Sequence, residues 1–252
     1  MSMPKIPLMF HDIYDLAPCE SGFRRASSDS FKISREDFVH FMDGAERVMQ
    51  QQGQSLSDVI FTFDDGGKSF VWIAEELSRR NLVGHFFIAT KYIGTEGFCT
   101  KTDLQYIDKM GHIIGNHSHS HPASISRLKD TPLYEEWRQS HHFLSELLGK
   151  PIVEASIPGG HYSRSQVEVL SNLGYHVVYT SKPTLRHQSC KGVDVIGRFT
   201  VRKSNNIMGY TDYIKRKSSL RFKMLARYEM LYVAKKMLGS SFYKLRNSLK
   251  KF

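Results

Sequence analysis

The sequence is poor in the features that define disulfide-bonded secreted domains and integral membrane proteins. Its 252 residues include three cysteines, Cys19, Cys99 and Cys190, which are odd in number and widely scattered. They are therefore expected to be reduced thiols rather than a disulfide framework. No apolar run approaches the roughly 18 residues that a membrane span needs. The apolar residues 6–10 are also too few for the core of a secretory signal, so we expect a cytoplasmic globular protein.

Acidic residues are scarce in one part of the chain only. The net charge is +10, but residues 202–252 carry 14 Lys and Arg against Asp212 and Glu229. The remaining 201 residues therefore have a net charge of −2. The basic character belongs to the C-terminal segment and not to the body of the protein.

Short β-rich runs alternate with amphipathic stretches along residues 5–201. This alternation predicts an α/β fold with a parallel sheet or barrel and helices outside it. Capping-box patterns at Ser34, Thr100 and Ser163 mark three of the helix starts. The predicted strands are Lys5–Phe10, Val59–Phe63, His85–Ala89, His112–Gly115, Ile152–Ile157, His176–Thr180 and Val195–Val201, and the predicted helices lie near 35–52, 68–81, 101–110, 131–149 and 164–174.

Two adjacent carboxylates follow the second predicted strand, in the sequence Asp64-Asp65-Gly66-Gly67. Neighbouring side chains at a strand end point in different directions, so one can hold a cation while the other handles a proton. The alternative is an ordinary strand-to-helix turn with an aspartate N-cap. Active sites of such folds lie at the carboxyl ends of the strands, where this pair is found.

Three histidines fall within five residues in the segment Asn116-His117-Ser118-His119-Ser120-His121-Pro122. His117 and His121 are four apart, a spacing that predicts two imidazoles on one helical turn. A surface histidine cluster is the alternative. Two histidines and one carboxylate leave an open position for water, as in catalytic metal sites. Zinc is the first expectation, with cobalt, nickel and manganese as alternatives.

The two motifs together resemble those of the polysaccharide deacetylase family, also known as the NodB-homology or carbohydrate esterase family 4 group. The resemblance covers roughly residues 5–201 and implies a distorted β/α barrel that removes acetyl groups from N-acetylated sugars. It implies that Asp64 is the general base and that Asp65, His117 and His121 are the metal ligands. The run Phe10-His11-Asp12-Ile13 also resembles the family's first strand and places His11 near the rim of the site, as a substrate-binding or a buried structural residue.

The chain departs from the family pattern at several positions. The family's Arg-x-Pro-x-Gly becomes Ser156-Ile157-Pro158-Gly159-Gly160, which lacks the arginine that orients the base, while Pro158, Gly159 and Gly160 are expected to contact substrate. The later Leu-x-Leu-x-His is missing, and no tryptophan follows residue 137. We expect Arg198, on the last predicted strand, to replace the missing arginine and pair with Asp64. Candidates for the general acid are His161, ranked first, and His187, whereas His119 is expected to point away from the site.

The C-terminal segment, residues 204–252, predicts a basic amphipathic helical extension to a catalytic domain of residues 1–203. Packing on the barrel or on a second chain in a homo-oligomer competes with contact between residues 218–252 and an anionic membrane. Nucleic acid is not expected, because no recognition motif accompanies the charge. Its apolar stripe, with a break at Gly239-Ser240-Ser241, comprises Met224, Tyr228, Leu231, Leu238, Phe242, Leu245, Leu249 and Phe252.

Combined, these features predict an N-deacetylase of an acetamido sugar, with a polyprenyl-phosphate-linked precursor of surface polysaccharide at the cytosolic face of the membrane as the substrate. Deformylation of an amino sugar would use the same site. A protein of another class, a non-catalytic metal-bearing sugar-binding protein, is the remaining alternative, although a base beside the metal speaks against it.

Overall fold

A computed structural model describes residues 5–122, 125–160, 163–204, 206–215 and 218–238. Within these residues the strands are β1 Ile6–Phe10, β2 Ile13–Tyr14, β3 Ile33–Ser34, β4 Val59–Phe63, β5 Gly84–Ile88, β6 Ile113–Asn116, β7 Glu154–Ser156, β8 Val177–Tyr179, β9 Gln188–Cys190, β10 Val193–Ile196 and β11 Phe199–Thr200. The helices are α1 Ala26–Asp29, α2 Arg35–Gln51, α3 Phe70–Arg79, α4 Lys101–Lys109, α5 Asp130–Leu148, α6 Arg164–Asn172, α7 Thr211–Ile214 and α8 Ser218–Leu238.

The main sheet has nine strands in the order β11-β1-β4-β5-β6-β7-β8-β10-β9. Neighbouring strands are parallel, except that β9 runs antiparallel to β10. Strands β2 and β3 form a separate small parallel pair. The sheet curls into a distorted barrel, which confirms the predicted α/β fold, and the parallel strands bring their carboxyl ends to one end of it.

Most strands of the main sheet consist largely of apolar residues, which explains why they are buried inside the barrel. All five residues of β1 are buried, as expected for a parallel strand covered on both faces. Aromatic rings fill the interior around it: Phe10 and Phe63 stack with centroids 5.4 Å apart, and Phe63 stacks on Phe86 at 5.1 Å. These contacts fix the strands whose ends carry the polar side chains.

Thr100 and Ser163 are the N-cap residues of helices α4 and α6, and both helices have the predicted capping boxes.

The predicted strand Val195–Val201 is wrong, because the chain changes its partner in the middle. Strand β10 ends at Ile196 and pairs with β8, whereas β11 begins at Phe199 and pairs with β1 on the other side of the sheet. Gly197 and Arg198 connect the two. A Cβ atom at Gly197 would lie 2.2 Å from the carbonyl oxygen of Lys182, so this connection has no room for a side chain there. Apolar alternation cannot reveal such a switch, since each half looks like the same strand.

The C-terminal helices pack on the barrel. Ile207, Tyr213 and Ile214 are buried in the main core, and α8 follows as the predicted helical extension. The division between residues 203 and 204 stays a prediction. Among the described helices, none combines the length and apolarity that crossing a membrane requires.

Candidate active site

Polar side chains from separate strands meet at the carboxyl end of the barrel. Asp64 and Asp65 follow β4, His117 follows β6, Ser156 ends β7, and His11 follows β1. Asp64, Asp65, His117 and Ser156 are all buried. A buried group of this kind needs internal partners, since water does not solvate it.

The Asp64 carboxylate forms a two-point ion pair with Arg198. Nη1 of Arg198 donates to Oδ1 of Asp64 and Nη2 to Oδ2, each at 2.7 Å. The guanidinium also donates to Thr62 Oγ1 at 2.9 Å, Ser156 Oγ at 2.8 Å and the Thr180 carbonyl at 3.1 Å. These contacts use all five N–H donors of arginine, so the guanidinium is fixed in one orientation.

Arg198 reaches the place where the family has its arginine. Ser156 stands at that position in the sequence motif, and its hydroxyl accepts a hydrogen bond from Arg198. The prediction that Arg198 lies on the last strand is wrong, because this residue belongs to the two-residue connection between β10 and β11. The structure thus brings Arg198 and Asp64 together from two different parts of the chain, while their catalytic roles stay predictions.

The ion pair keeps Asp64 charged. Burial acts to raise the pKa of this carboxyl, but the positive charge of Arg198 and the ring of His117 outweigh it and lower the pKa. Asp64 is therefore ionised at neutral pH, the form that a general base requires.

Asp65, His117 and His121 form a candidate metal centre. One ligand atom from each residue lies within 4.8 Å of the others. Oδ1 of Asp65 is 3.4 Å from His117 Nε2 and 3.3 Å from His121 Nε2. Nδ1 of His117 lies 2.8 Å from the Ser156 carbonyl oxygen, and a carbonyl only accepts, so Nδ1 carries the hydrogen and Nε2 offers its lone pair to the cluster.

These residues fit a divalent cation. Oδ1 of Asp65 is buried and has no hydrogen-bond partner among the described residues, which is costly unless a cation takes that position. Burial acts to raise the pKa of Asp65, but His117 and His121 overcome it and lower the pKa. A charged carboxylate and two imidazoles match the donor set of a catalytic zinc-type site with open positions.

The backbone between the two histidines is a loop, so the predicted helical turn is wrong. Ser118 and His121 have left-handed φ angles of 65° and 51°, and the two imidazole centroids are 5.0 Å apart. Asn116 stabilises the loop by accepting from the Ser118 amide at 2.7 Å. Because a residue before proline avoids the helical region, Pro122 disfavours a helix at His121.

The other histidines differ in their distance from this cluster. His119 turns away, with Nδ1 3.0 Å from Thr90 Oγ1. His187 is exposed and lines a surface concavity beside Arg186. His161 lies outside the described residues.

His11 faces the cluster. Its Nδ1 is buried and has no hydrogen-bond partner in the described part of the chain. Burial lowers the pKa of His11, and the carboxylates of Asp65 and Asp64 oppose that shift. Its ring packs on Phe31 with centroids 4.7 Å apart.

The predicted substrate-binding turn follows β7 directly. Gly159 is exposed, whereas Pro158 and Gly160 are buried. Gly160 has a left-handed φ of 71°, and a Cβ there would lie 1.8 Å from Ser181 Oγ, so only glycine fits. A role of the turn in binding substrate stays a prediction.

An aromatic wall that sequence reasoning missed borders the metal centre. The Phe23 ring lies 5.1 Å from the His121 ring, 4.8 Å from Tyr92 and 5.1 Å from Phe98, measured between centroids. Phe23 and His121 are 98 positions apart in the chain. No local pattern signals this contact, which arises because the segment of residues 18–23 folds over the end of the barrel.

Lys32 holds that segment in place. This lysine is buried, and its ammonium donates to the carbonyl oxygens of Pro18 at 2.7 Å, Ser21 at 2.6 Å and Phe23 at 2.8 Å. Three acceptors satisfy the three donors of the ammonium. Lys32 therefore positions the backbone of Phe23, and with it the aromatic wall.

The barrel and the buried acid–histidine cluster define an α/β-barrel protein with a candidate metal centre. A family model described as polysaccharide deacetylase matches residues 52–178. The chain belongs to the polysaccharide deacetylase family, which implies a hydrolase acting on an acetylated sugar. No curated protein matches it.

Solved structures share the fold at low sequence identity. IcaB from Ammonifex degensii is 19% identical with a TM-score of 0.65, covering 83% of this chain and 96% of IcaB. The deacetylase PplD from Streptococcus pyogenes, solved with acetate, is 16% identical with a TM-score of 0.62, covering 84% and 99%. BC0361, a polysaccharide deacetylase from Bacillus cereus, is 18% identical with a TM-score of 0.64, covering 83% and 68%.

Proposed function

We propose that the protein is a metal-dependent N-deacetylase that hydrolyses the acetamido group of a sugar. One observation carries the proposal: a carboxylate kept ionised by a buried arginine lies beside an Asp-His-His cluster suited to a divalent metal. A base next to such a centre is what amide hydrolysis needs and what a binding protein does not.

The chemistry divides among the named residues. A divalent metal held by Asp65, His117 and His121, with zinc as the first candidate, supplies a Lewis acid and lowers the pKa of water. Asp64 takes the proton of the attacking water, and Arg198 fixes the direction of its carboxylate. Acetate leaves when the C–N bond breaks and the sugar nitrogen gains a proton.

The proton that Asp64 takes up must reach the departing amine. His11 is a described histidine that could carry it, because its buried Nδ1 has no hydrogen-bond partner among the described residues and its ring interacts electrostatically with both aspartates. His161, ranked first from the sequence, and His187 stay the other candidates for this step.

The finer proposal concerns the substrate. We propose a lipid-linked acetamido sugar, carried on a polyprenyl phosphate at the cytosolic face of the membrane, as a precursor of surface polysaccharide. Support comes from α8, which contacts the turn after β7 and the neighbouring Lys182: the Tyr228 hydroxyl donates to the Gly160 carbonyl at 3.4 Å, and Glu229 pairs with Lys182 at 2.7 Å. If that turn binds substrate, as we propose, a helix of the positively charged C-terminal segment lies next to the bound sugar.

Acetate release from a metal-loaded enzyme tests the reaction, with Asp64→Asn as the decisive variant. Asparagine keeps the size of the side chain but cannot accept the proton, so turnover should fall on the order of 10²- to 10⁴-fold while metal content stays unchanged. Asp194→Asn makes the same change at an exposed strand position and should leave turnover intact. Full turnover in Asp64→Asn would contradict the assignment of the base.

The substrate is tested separately. The assay compares a soluble N-acetylated oligosaccharide with a polyprenyl-phosphate-linked acetamido sugar in vesicles, and we expect the lipid-linked compound to be preferred. Preference for the soluble oligosaccharide would exclude the carrier but keep the enzyme. Formate released from an N-formyl sugar in place of acetate would identify a deformylase, and metal-loaded protein that releases neither would favour a sugar-binding protein.

A further inference from the structure

Helix α8 carries apolar side chains on two opposite faces. Its inner face packs on the barrel: Leu220 and Met224 contact the main core, and the Tyr228 hydroxyl reaches Gly160. Met224 and Tyr228 belong to the predicted amphipathic stripe. That part of the stripe is therefore used for packing within the chain.

The outer face is a second apolar row. The exposed fractions are 72% for Phe222, 65% for Met230, 51% for Val233 and 79% for Met237. Spacings of eight, three and four residues place the four side chains on one side of the helix, nearly opposite Leu220 and Met224. Single exposed apolar residues are common, but a continuous row on one helix indicates a contact surface.

Positive charge accompanies this row. Lys223 and Arg227 are exposed next to it, and residues 239–252 contain four Lys and Arg and no acidic residue. An apolar row with basic neighbours fits a lipid surface with anionic head groups, which accepts apolar side chains at the acyl boundary and attracts lysine and arginine. A second copy fits less well, since a two-fold interface would place like charges together.

We infer that the outer face of α8, formed by Phe222, Met230, Val233 and Met237, binds the surface of an anionic membrane. The inference rests on the proposed function only in its consequence, namely that the catalytic barrel is then held at the bilayer, with α8 between the membrane and the Gly160 turn. Protein and lipid-linked sugar would then be held at the same membrane surface.

Sedimentation with lipid vesicles tests the inference on the full chain. The probes are vesicles of phosphatidylcholine mixed with phosphatidylglycerol, and vesicles of phosphatidylcholine alone. Wild type should bind the anionic vesicles, and added salt should weaken the binding. Phe222→Gln/Met230→Gln should bind at least about tenfold more weakly, because two apolar side chains no longer enter the interface. Phe222→Leu/Met230→Leu is the matched control and should retain binding.

Two results would overturn the inference. Wild type that stays in the supernatant with anionic vesicles rules out a membrane surface, and equal binding of the glutamine variant places the contact elsewhere. If ultracentrifugation shows a dimer that the glutamine variant loses, while vesicles bind neither protein, the face belongs to a second copy.

Acetate release from a soluble acetamido sugar separates this inference from the proposed function. Neither substituted residue belongs to the site, so both variants should keep the wild-type rate. Loss of vesicle binding with unchanged acetate release affects α8 alone. Vesicle binding by a wild type that releases no acetate would instead contradict the enzymatic proposal and leave the membrane surface standing.

Discussion

Replacing Arg198 with methionine removes the charge that Asp64 needs but keeps a side chain of comparable length. Both partners are buried, with Arg198 fully inaccessible and Asp64 3% exposed. Methionine fills the space yet offers no donor, so the carboxylate keeps only the hydroxyl of Ser156 at 3.1 Å. The substitution leaves a buried, nearly unpaired charge.

The expected magnitude follows from that unpaired charge. Removing one partner of a buried ion pair costs about 3–5 kcal/mol, a large part of a typical unfolding free energy. For a chain of this size the melting temperature should fall by about 6–20 °C. Without the guanidinium, the opposition to burial weakens and the pKa of Asp64 should rise. Since the base must be ionised, the acid limb of the kcat/KM profile should move to higher pH by the same amount.

The assay combines thermal unfolding with the pH profile of acetate release. Arg138→Met is the matched control, because Arg138 pairs with Glu135 on the surface and its loss should change neither measurement noticeably. The double variant Asp64→Asn/Arg198→Met removes both charges. It should be more stable than the sum of the two single changes predicts, by about 0.5–3 kcal/mol.

Two results would refute this reasoning. Arg198→Met with wild-type turnover and an unmoved acid limb would show that the arginine does not control the base. Additive stability changes in the double-variant cycle would show that the buried pair is not coupled.

Other outcomes follow from the metal centre and from the segment above it. His117→Ala/His121→Ala should lower transition metal from near one per chain to background in elemental analysis, and retained metal would contradict the ligand assignment. Metal loading should fall as the pH falls. Burial lowers the pKa of His117, but the carboxylates of Asp64 and Asp65 outweigh burial and raise it, so that a proton competes with the metal for Nε2. A metal affinity that does not change between pH 5 and 8 in chelator competition would exclude this competition. Lys32→Met leaves three carbonyl groups without their donor and should cost about 2 kcal/mol in unfolding free energy, with a raised KM as the aromatic wall loosens. An unchanged melting temperature and KM would show that Lys32 does not hold the segment.

Local patterns were sufficient to predict that Asp64, Asp65, His117 and His121 lie together, while their roles as base and metal ligands stay predictions. Asp64 and Asp65 are adjacent, and His117 and His121 are four apart, so each motif survives in the sequence as a short string. Alternating apolar runs likewise predicted the strands that carry them. The loop conformation at His121 was missed, because spacing alone does not distinguish a helical turn from a loop with left-handed residues.

Contacts between distant segments were harder to predict. Arg198 and Asp64 are 134 positions apart in the chain. Their pairing is predicted because Ser156 replaces the family's arginine, and no sequence pattern around Arg198 indicates it. The strand that changes partner at Gly197 gave no local signal. Phe23 was missed for the same reason, since its place depends on how Lys32 folds the preceding segment over the barrel.

The position of Arg198 bears on how pseudoenzymes are recognised. A survey that compares aligned motif columns would record serine where the catalytic arginine is normal and count this chain among inactive relatives. Arg198, which comes from another part of the chain, nevertheless pairs with Asp64 and donates a hydrogen bond to the serine at that position. Proteins of this kind would be classified differently if structures were compared for the chemical group next to the base, instead of sequences for the residue at an aligned position.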